Sequence, residues 1–122
     1  MDDVRAQRWL DDYVAAWRNG DRDRIGELFS EQVSYRYHPY DHPVLGREAV
    51  VQSWLEDANP SEEWEAEYRI YAVDGQRAVA TGTTRYLATD DHPERFYYNV
   101  FLVEFDDDGR CREFTEYFVK RP

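Results

Sequence analysis

The chain has 122 residues, and its 15 basic against 26 acidic side chains leave a net charge of −11; such a surface repels phosphate backbones and anionic lipid, which argues against nucleic-acid and membrane-surface binding. The length suits a single domain over 1–122, and the lone Cys111 forms no intrachain disulfide. No apolar run reaches the length of a signal peptide or a membrane span, so a cytoplasmic protein is expected.

Aromatic residues make up 16% of the chain, with ten tyrosines and four tryptophans. Buried Tyr and Trp need partners for their polar ends, so this composition favours a polar-lined cavity or an interface over a dry aliphatic core.

Asp2 or Asp3 caps a first helix whose stripe is Val4, Ala6, Trp9, Leu10, Tyr13, Val14 and Trp17, ended by Gly20. Asp21 caps a shorter second helix with Ile25, Leu28 and Phe29 inward. Residues 33–37 alternate as a strand that stops at His38-Pro39, because the residue before proline is pushed to an extended conformation. A loop runs to Gly46, and a third helix follows from Arg47 to Ala58, with Val50, Val51, Trp54 and Leu55 buried and Pro60 beyond its end. The period then switches to two. Trp64–Val73 and Arg77–Ala88 are strands joined at Asp74-Gly75, and Arg95–Phe105 and Arg110–Val119 are joined by Asp106-Asp107-Asp108-Gly109. Gly82 marks a bend or a close contact, having no side chain to pack. Asn59-Pro60-Ser61 is too short to separate domains. The strand 95–105 is apolar on both faces, and one helical layer covers only one of them; the other curls on itself or meets a second subunit.

The stretch from Tyr35 to Pro43 gathers Tyr35, Tyr37, His38, Tyr40, Asp41 and His42 around two prolines. Tyr, His and Asp supply donors, acceptors and groups that titrate near neutrality, as a small-molecule site needs. His38 beside Asp41 is a candidate base; the plain alternative is a His bonded to a tyrosine and an Asp capping the loop. No metal site is expected, because His38 and His42 straddle a proline loop with no helical spacing to align them. No glycine-rich phosphate loop or dinucleotide fingerprint is present, and no cofactor is expected.

The order helix, helix, strand, helix and four long strands resembles the nuclear transport factor 2-like superfamily, in its SnoaL-like branch. The resemblance rests on Tyr13-Val14-Ala15-Ala16-Trp17 with Gly20-Asp21, on Leu28-Phe29, on Gly46-Arg47-Glu48-Ala49-Val50 and on Phe114-Thr115-Glu116-Tyr117-Phe118. It implies an α+β fold: a cone-shaped, curved, mostly antiparallel sheet wrapped around a pocket, with three helices from the N-terminal half packed on its concave face. It also implies a homodimer, here through the outer sheet face.

Ketosteroid isomerases of that superfamily place a Tyr where Tyr13 stands, an Asp base where His38 stands and a protonated Asp where Phe101 stands. The missing carboxyl argues against steroid isomerisation. Limonene-epoxide hydrolases place water-positioning residues at Tyr35 and Tyr37, a carboxylate at Glu116, and an Arg and an Asp at Thr83 and Arg85, so the acid that protonates the epoxide is absent. The matched positions imply that His38, Asp41, Tyr13 and Glu116 carry any chemistry. The same match implies a lining of Trp17, Tyr35, Tyr37, Trp54, Arg85, Tyr97, Asn99, Phe101 and Phe114. Glu116 is expected to be ionised against Arg85; without that partner its proton affinity rises and it becomes an acid or base.

The expected function is binding of a compact, partly apolar small molecule, with cofactor-free acid–base chemistry such as isomerisation, cyclisation, dehydration or hydration. The alternative is a non-catalytic dimeric interaction module with a filled or vestigial cavity.

Overall fold

The computed structural model describes residues 1–57 and 63–122. The expectations placed on Ala58 and on Asn59-Pro60-Ser61 lie outside the described residues. Helix α1 spans Asp3–Asn19, α2 Arg22–Glu27 and α3 Arg47–Asp57; the strands are β1 Phe29–Arg36, β2 Val44–Leu45, β3 Trp64–Asp74, β4 Arg77–Tyr86, β5 Arg95–Phe105 and β6 Cys111–Lys120. They form one sheet in the order β2-β1-β6-β5-β4-β3, antiparallel throughout except that β1 runs parallel to β6. The fold is therefore α+β with a mixed, open sheet, mostly antiparallel as the family resemblance implies. Among the described residues no helix is long and apolar enough to cross a membrane.

Local chemistry sets the ends of α1. The Asp2 carboxylate accepts from Arg5 N, and Gly20 closes the helix in the left-handed region at φ 61, its N–H bonded to the Ala16 carbonyl. The buried face is Ala6, Trp9, Leu10, Tyr13 and Ala16, while Val4 stays 68% exposed, off the stripe assigned to it. Trp9, Tyr13 and Trp17 descend one face at four-residue steps of about 6 Å each. Trp9 lies in the core, edge-on to Phe29 and Phe105, its indole N–H bonded to the Leu28 carbonyl at 2.9 Å. Trp17, at the far end, stacks on Trp64 at 3.9 Å, with the Arg18 guanidinium over the same Trp64 ring.

Two sequence boundaries need correction. Phe29 does not end α2 but starts β1, which begins four residues before the alternating stretch. A register irregularity against β6 between Phe29 and Ser34 leaves Glu31 and Gln32 both exposed, and this break hides the first half of the strand from a period-two reading. The short strand β2, paired with Ser34 and Tyr35, carries no alternation to reveal it.

Strand parity decides what faces the helices. On β5 the side chains of Asn99, Phe101, Val103 and Phe105 point inward, while Tyr98, Val100 and Leu102 stay on the convex face. On β4 the inward set is the even one, Ala78, Ala80 and Thr84. Gly82, on the same parity, lies opposite Tyr68 of β3.

A Cβ at Gly82 would stand 2.0 Å from the Glu67 carbonyl oxygen and 2.8 Å from Tyr68 Cα, and backbone cannot yield as a flexible side-chain tip does. Gly82→Ala should therefore destabilise the protein by about 3 kcal/mol, the upper end of overpacking costs, seen as a lower urea midpoint at unchanged slope.

Candidate functional site

A cavity of about 340 Å³ opens between α1, α3 and the concave face of the sheet. Ten of the residues expected at a site line it: Tyr13, Trp17, Tyr35, Tyr37, His38, Trp54, Tyr97, Asn99, Phe101 and Glu116. Asp57, Tyr68, Thr84, Tyr86, Arg95 and Phe118 line it as well, and sequence reasoning missed them. The signal for Thr84 and Tyr86 lay in β4, where small Ala78, Ala80 and Gly82 alternate with Arg77, Val79 and Thr81 and so mark the even positions as inward.

The floor is aromatic. Phe114 is fully buried and lies nearly parallel to Tyr35 at 4.5 Å and to Tyr13 at 5.5 Å, holding both rings from below. It therefore supports the lining and does not belong to it; parity placed Phe114 and Glu116 on one face but carries no information on depth. The Tyr13 and Tyr35 hydroxyls meet at 3.1 Å. Burial, foremost, raises both phenol pKa values well above the usual 10, so both remain protonated. One hydroxyl donates to the other, and among the described residues the second O–H has no acceptor. The Tyr37 hydroxyl pairs with Ser53 Oγ at 2.7 Å, and burial raises its pKa too.

Glu116 is held by neutral groups. Its Oε2 accepts from Asn99 Nδ2 at 2.8 Å, Asn99 Oδ1 accepts from Thr84 Oγ1 at 2.8 Å, and Thr84 Oγ1 is paired with the Tyr68 hydroxyl. The expected ion pair with Arg85 does not form. Arg85 lies on the odd, outward parity of β4, with its guanidinium near Glu65 at 3.9 Å and Glu94 at 3.3 Å. Thr83 shares that outward parity, and a one-residue shift in the assumed match put both on the wrong face. Among the described residues no cation is bonded to Glu116, and its pKa is raised from 4.5 to about 7, mainly by burial, against smaller lowering effects of the Asn99 hydrogen bond and of His38.

At the end of β1, His38 Nδ1 lies 2.8 Å from Asp41 Oδ2. The Asp41 N–H donates to the His38 carbonyl, and Arg36 Nε donates to the Asp41 carbonyl, so a tight turn holds the pair together. Tyr40 stacks on the imidazole at 5.0 Å and Phe118 leans on it at 5.3 Å. Asp41 is not on the cavity wall; it reaches the site through His38. With a carboxylate at Nδ1, that nitrogen carries the hydrogen in the neutral ring and Nε2 keeps the lone pair. His42 is exposed, and among the described residues no group of three or more His, Cys, Asp or Glu could hold a metal ion.

Residues 10–114 match the SnoaL-like domain family, and the chain belongs to that family. No curated protein matches it by sequence. Among solved structures 307 chains match, so the likeness is to a widespread architecture. One of them, an LEH-like epoxide hydrolase from M. tuberculosis, is 17% identical, with 95% of this chain and 84% of that chain covered at a TM-score of 0.71. At that identity the likeness is one of fold, the cone-shaped nuclear transport factor 2-like fold.

The raised Glu116 pKa makes stability depend on pH. Between pH 4.5, where the unfolded chain loses this proton, and about 7, where the folded chain does, the folded state binds the extra proton, so its stability falls as pH rises. The loss sums to about 3 kcal/mol and is complete above the folded midpoint. Glu116→Gln removes this dependence. Urea unfolding across that pH range should show the variant gaining about 3 kcal/mol on the wild type from the acid end to the alkaline end; a difference that stays flat would mean that Glu116 ionises at no cost.

Proposed function

We propose that this SnoaL-like domain binds a compact, partly apolar small molecule in its cone and performs cofactor-free acid–base chemistry on it. The observation that carries the reading is one cavity walled by both Glu116, whose proton affinity is raised to about 7, and His38, whose Nδ1 is committed to Asp41. A carboxyl able to give a proton and an imidazole able to take one are the two groups that isomerisation, dehydration or hydration requires. The aromatic walls suit a flat ligand, and the volume lies near the lower end of the range for small-molecule pockets. A cavity of that size speaks against the filled-cone interaction module.

In a dehydration, His38 Nε2 takes a proton from a ligand carbon. The electron pair of that C–H bond forms the new double bond as the C–O bond breaks, and Glu116 delivers its proton to the leaving oxygen, which departs as water. Transfer of the proton from His38 back to Glu116 through water resets the pair. Hydration is the reverse, and isomerisation returns the proton to a second carbon. The free O–H of the Tyr13–Tyr35 pair is the donor for negative charge that develops on a ligand oxygen.

Native mass spectrometry of protein purified gently from its host should reveal a bound small molecule and give its mass. With that ligand, Tyr37→Phe should weaken binding about fivefold, the worth of one hydrogen bond, followed by quenching of Trp17 and Trp54. His38→Ala should weaken binding as well, and His38→Ala and Glu116→Gln should each slow turnover by about 10²–10⁴. Unchanged affinity in both Tyr37→Phe and His38→Ala would remove the site assignment.

A second copy of the chain is the proposed partner of the convex face. Tyr98, Leu102 and Tyr117 are 48%, 43% and 43% exposed there, and Val100 pairs with Tyr117, as Leu102 does with Thr115. Neighbouring strands so exposed form a continuous apolar surface. Sedimentation equilibrium should give a dimer, and Leu102→Glu should give a monomer that still binds the ligand.

A further inference from the structure

The groups that hold Glu116 come from three neighbouring strands, Tyr68 from β3, Thr84 from β4 and Asn99 from β5, and each is buried or half-buried. Their hydrogen bonds have a direction. Thr84 gives its only proton to Asn99 Oδ1, so the Tyr68 hydroxyl must donate to Thr84, and Asn99 turns its N–H toward Glu116 Oε2. This order serves Glu116 in both of its protonation states. The reverse order requires a proton on Oε2 to donate to the amide oxygen, and it fails as soon as the carboxyl ionises. Among the described residues Glu116 Oε1 has no hydrogen-bond partner, and Glu116 lines the cavity.

We propose that Thr84 and Tyr68 are positioning residues that fix the Asn99 amide, so that Oε2 remains the acceptor and the acid proton of Glu116 resides on Oε1. This inference rests on the reading of Glu116 as the acid, but it goes beyond it by assigning a role to two neutral hydroxyls that bond each other and Asn99 and not Glu116 itself. The relay has a chemical consequence. A carboxyl free to rotate or to share its proton with an amide presents its O–H to a ligand part of the time, whereas a carboxyl pinned at one oxygen presents it in one direction. The other titratable groups acting on Glu116 are His38, Tyr13, Tyr35, Tyr37, Tyr68 and Tyr86, with Asp57 and Arg95 also on the cavity wall. Of these only the Tyr68 hydroxyl bonds Thr84 among the described residues, so changing Thr84 leaves the partners of the others untouched.

The test is a ¹³C titration of the Glu116 carboxyl in ligand-free protein, read by NMR with Glu116→Gln as the assignment control. Thr84→Val should move the midpoint up by about one pH unit, a tenfold gain in proton affinity, because the amide no longer has its oxygen held and the carboxylate loses a donor. Thr84→Ser, which restores the hydroxyl, should return the midpoint to the wild-type value, and Tyr68→Phe should produce a smaller upward shift. Thr84→Ala removes the same hydroxyl without the extra methyl and serves if the valine variant does not fold. A wild-type midpoint in Thr84→Val or Thr84→Ala overturns the proposal. So does a serine variant that titrates like valine, since packing and not the hydroxyl would then be responsible. The titration needs no substrate: a shifted midpoint alongside full turnover in Glu116→Gln would sink the acid role and leave the relay standing.

Discussion

Phe114 is where the structure is joined. It is fully buried on β6 and lies nearly parallel to Tyr35 of β1 and Tyr13 of α1, with Phe101 of β5 tilted against it at 5.2 Å. Each such ring pair adds about 0.5–1.5 kcal/mol beyond the area it buries, so this one side chain couples the first helix to three strands. Its position also divides the interior. Below it, Trp9, Phe29 and Phe105 fill the narrow end; above it, the two phenol hydroxyls meet at 3.1 Å and the cavity begins. A smaller residue there would loosen the core and the floor of the site together, because both rest on the same ring.

Two carboxylates near the cavity are treated in opposite ways. Asp41 sits on a turn with a third of its side chain exposed and His38 Nδ1 at 2.8 Å, so water and a ring nitrogen both meet its oxygens. Glu116 is half-buried, with one neutral amide as its hydrogen-bond partner among the described residues, so the environment opposes its charge and raises its proton affinity. The difference follows from where each sits, one at the end of a strand and one inside a curved sheet. Under the proposed chemistry the two residues have different work, Asp41 orienting an imidazole and Glu116 storing a proton.

The sequence made most of this legible through period and punctuation. Helix caps at Asp2, Gly20 and Asp21, the switch from a period near 3.6 to a period of two after α3, and the parity within β5 and within β6 follow from local rules, while the resemblance to a known family put Asn99, Phe101 and Glu116 on one wall. Local rules fail where pairing decides. The inward parity of β4 was carried only by the weak alternation of small Ala78, Ala80 and Gly82, and misjudging it by one residue exchanged the buried Thr84 for the outward Arg85. A charged residue also draws attention in a sequence more than a threonine does. Thr84 and Tyr68 act only through a chain of hydrogen bonds, and neither residue type signals such a role before the strands are aligned.

The polar groups of the cavity arise from α1, β1, α3, β3, β4, β5 and β6, while the cup that holds them is mostly aromatic. Rings define the volume by packing against one another, so a hydroxyl or carboxyl added to or removed from the wall changes the chemistry far more than it changes the fold. Glu116 shows the limit of that freedom. Among the described residues its half-buried carboxyl has no bonded cation, and an amide, a hydroxyl and a phenol satisfy one another in sequence behind it. The register of β3, β4 and β5 is thus fixed twice, by the backbone ladder and by this side-chain chain. The most buried acid in the cavity is tied to the most regular part of the sheet, where its geometry is least free to drift.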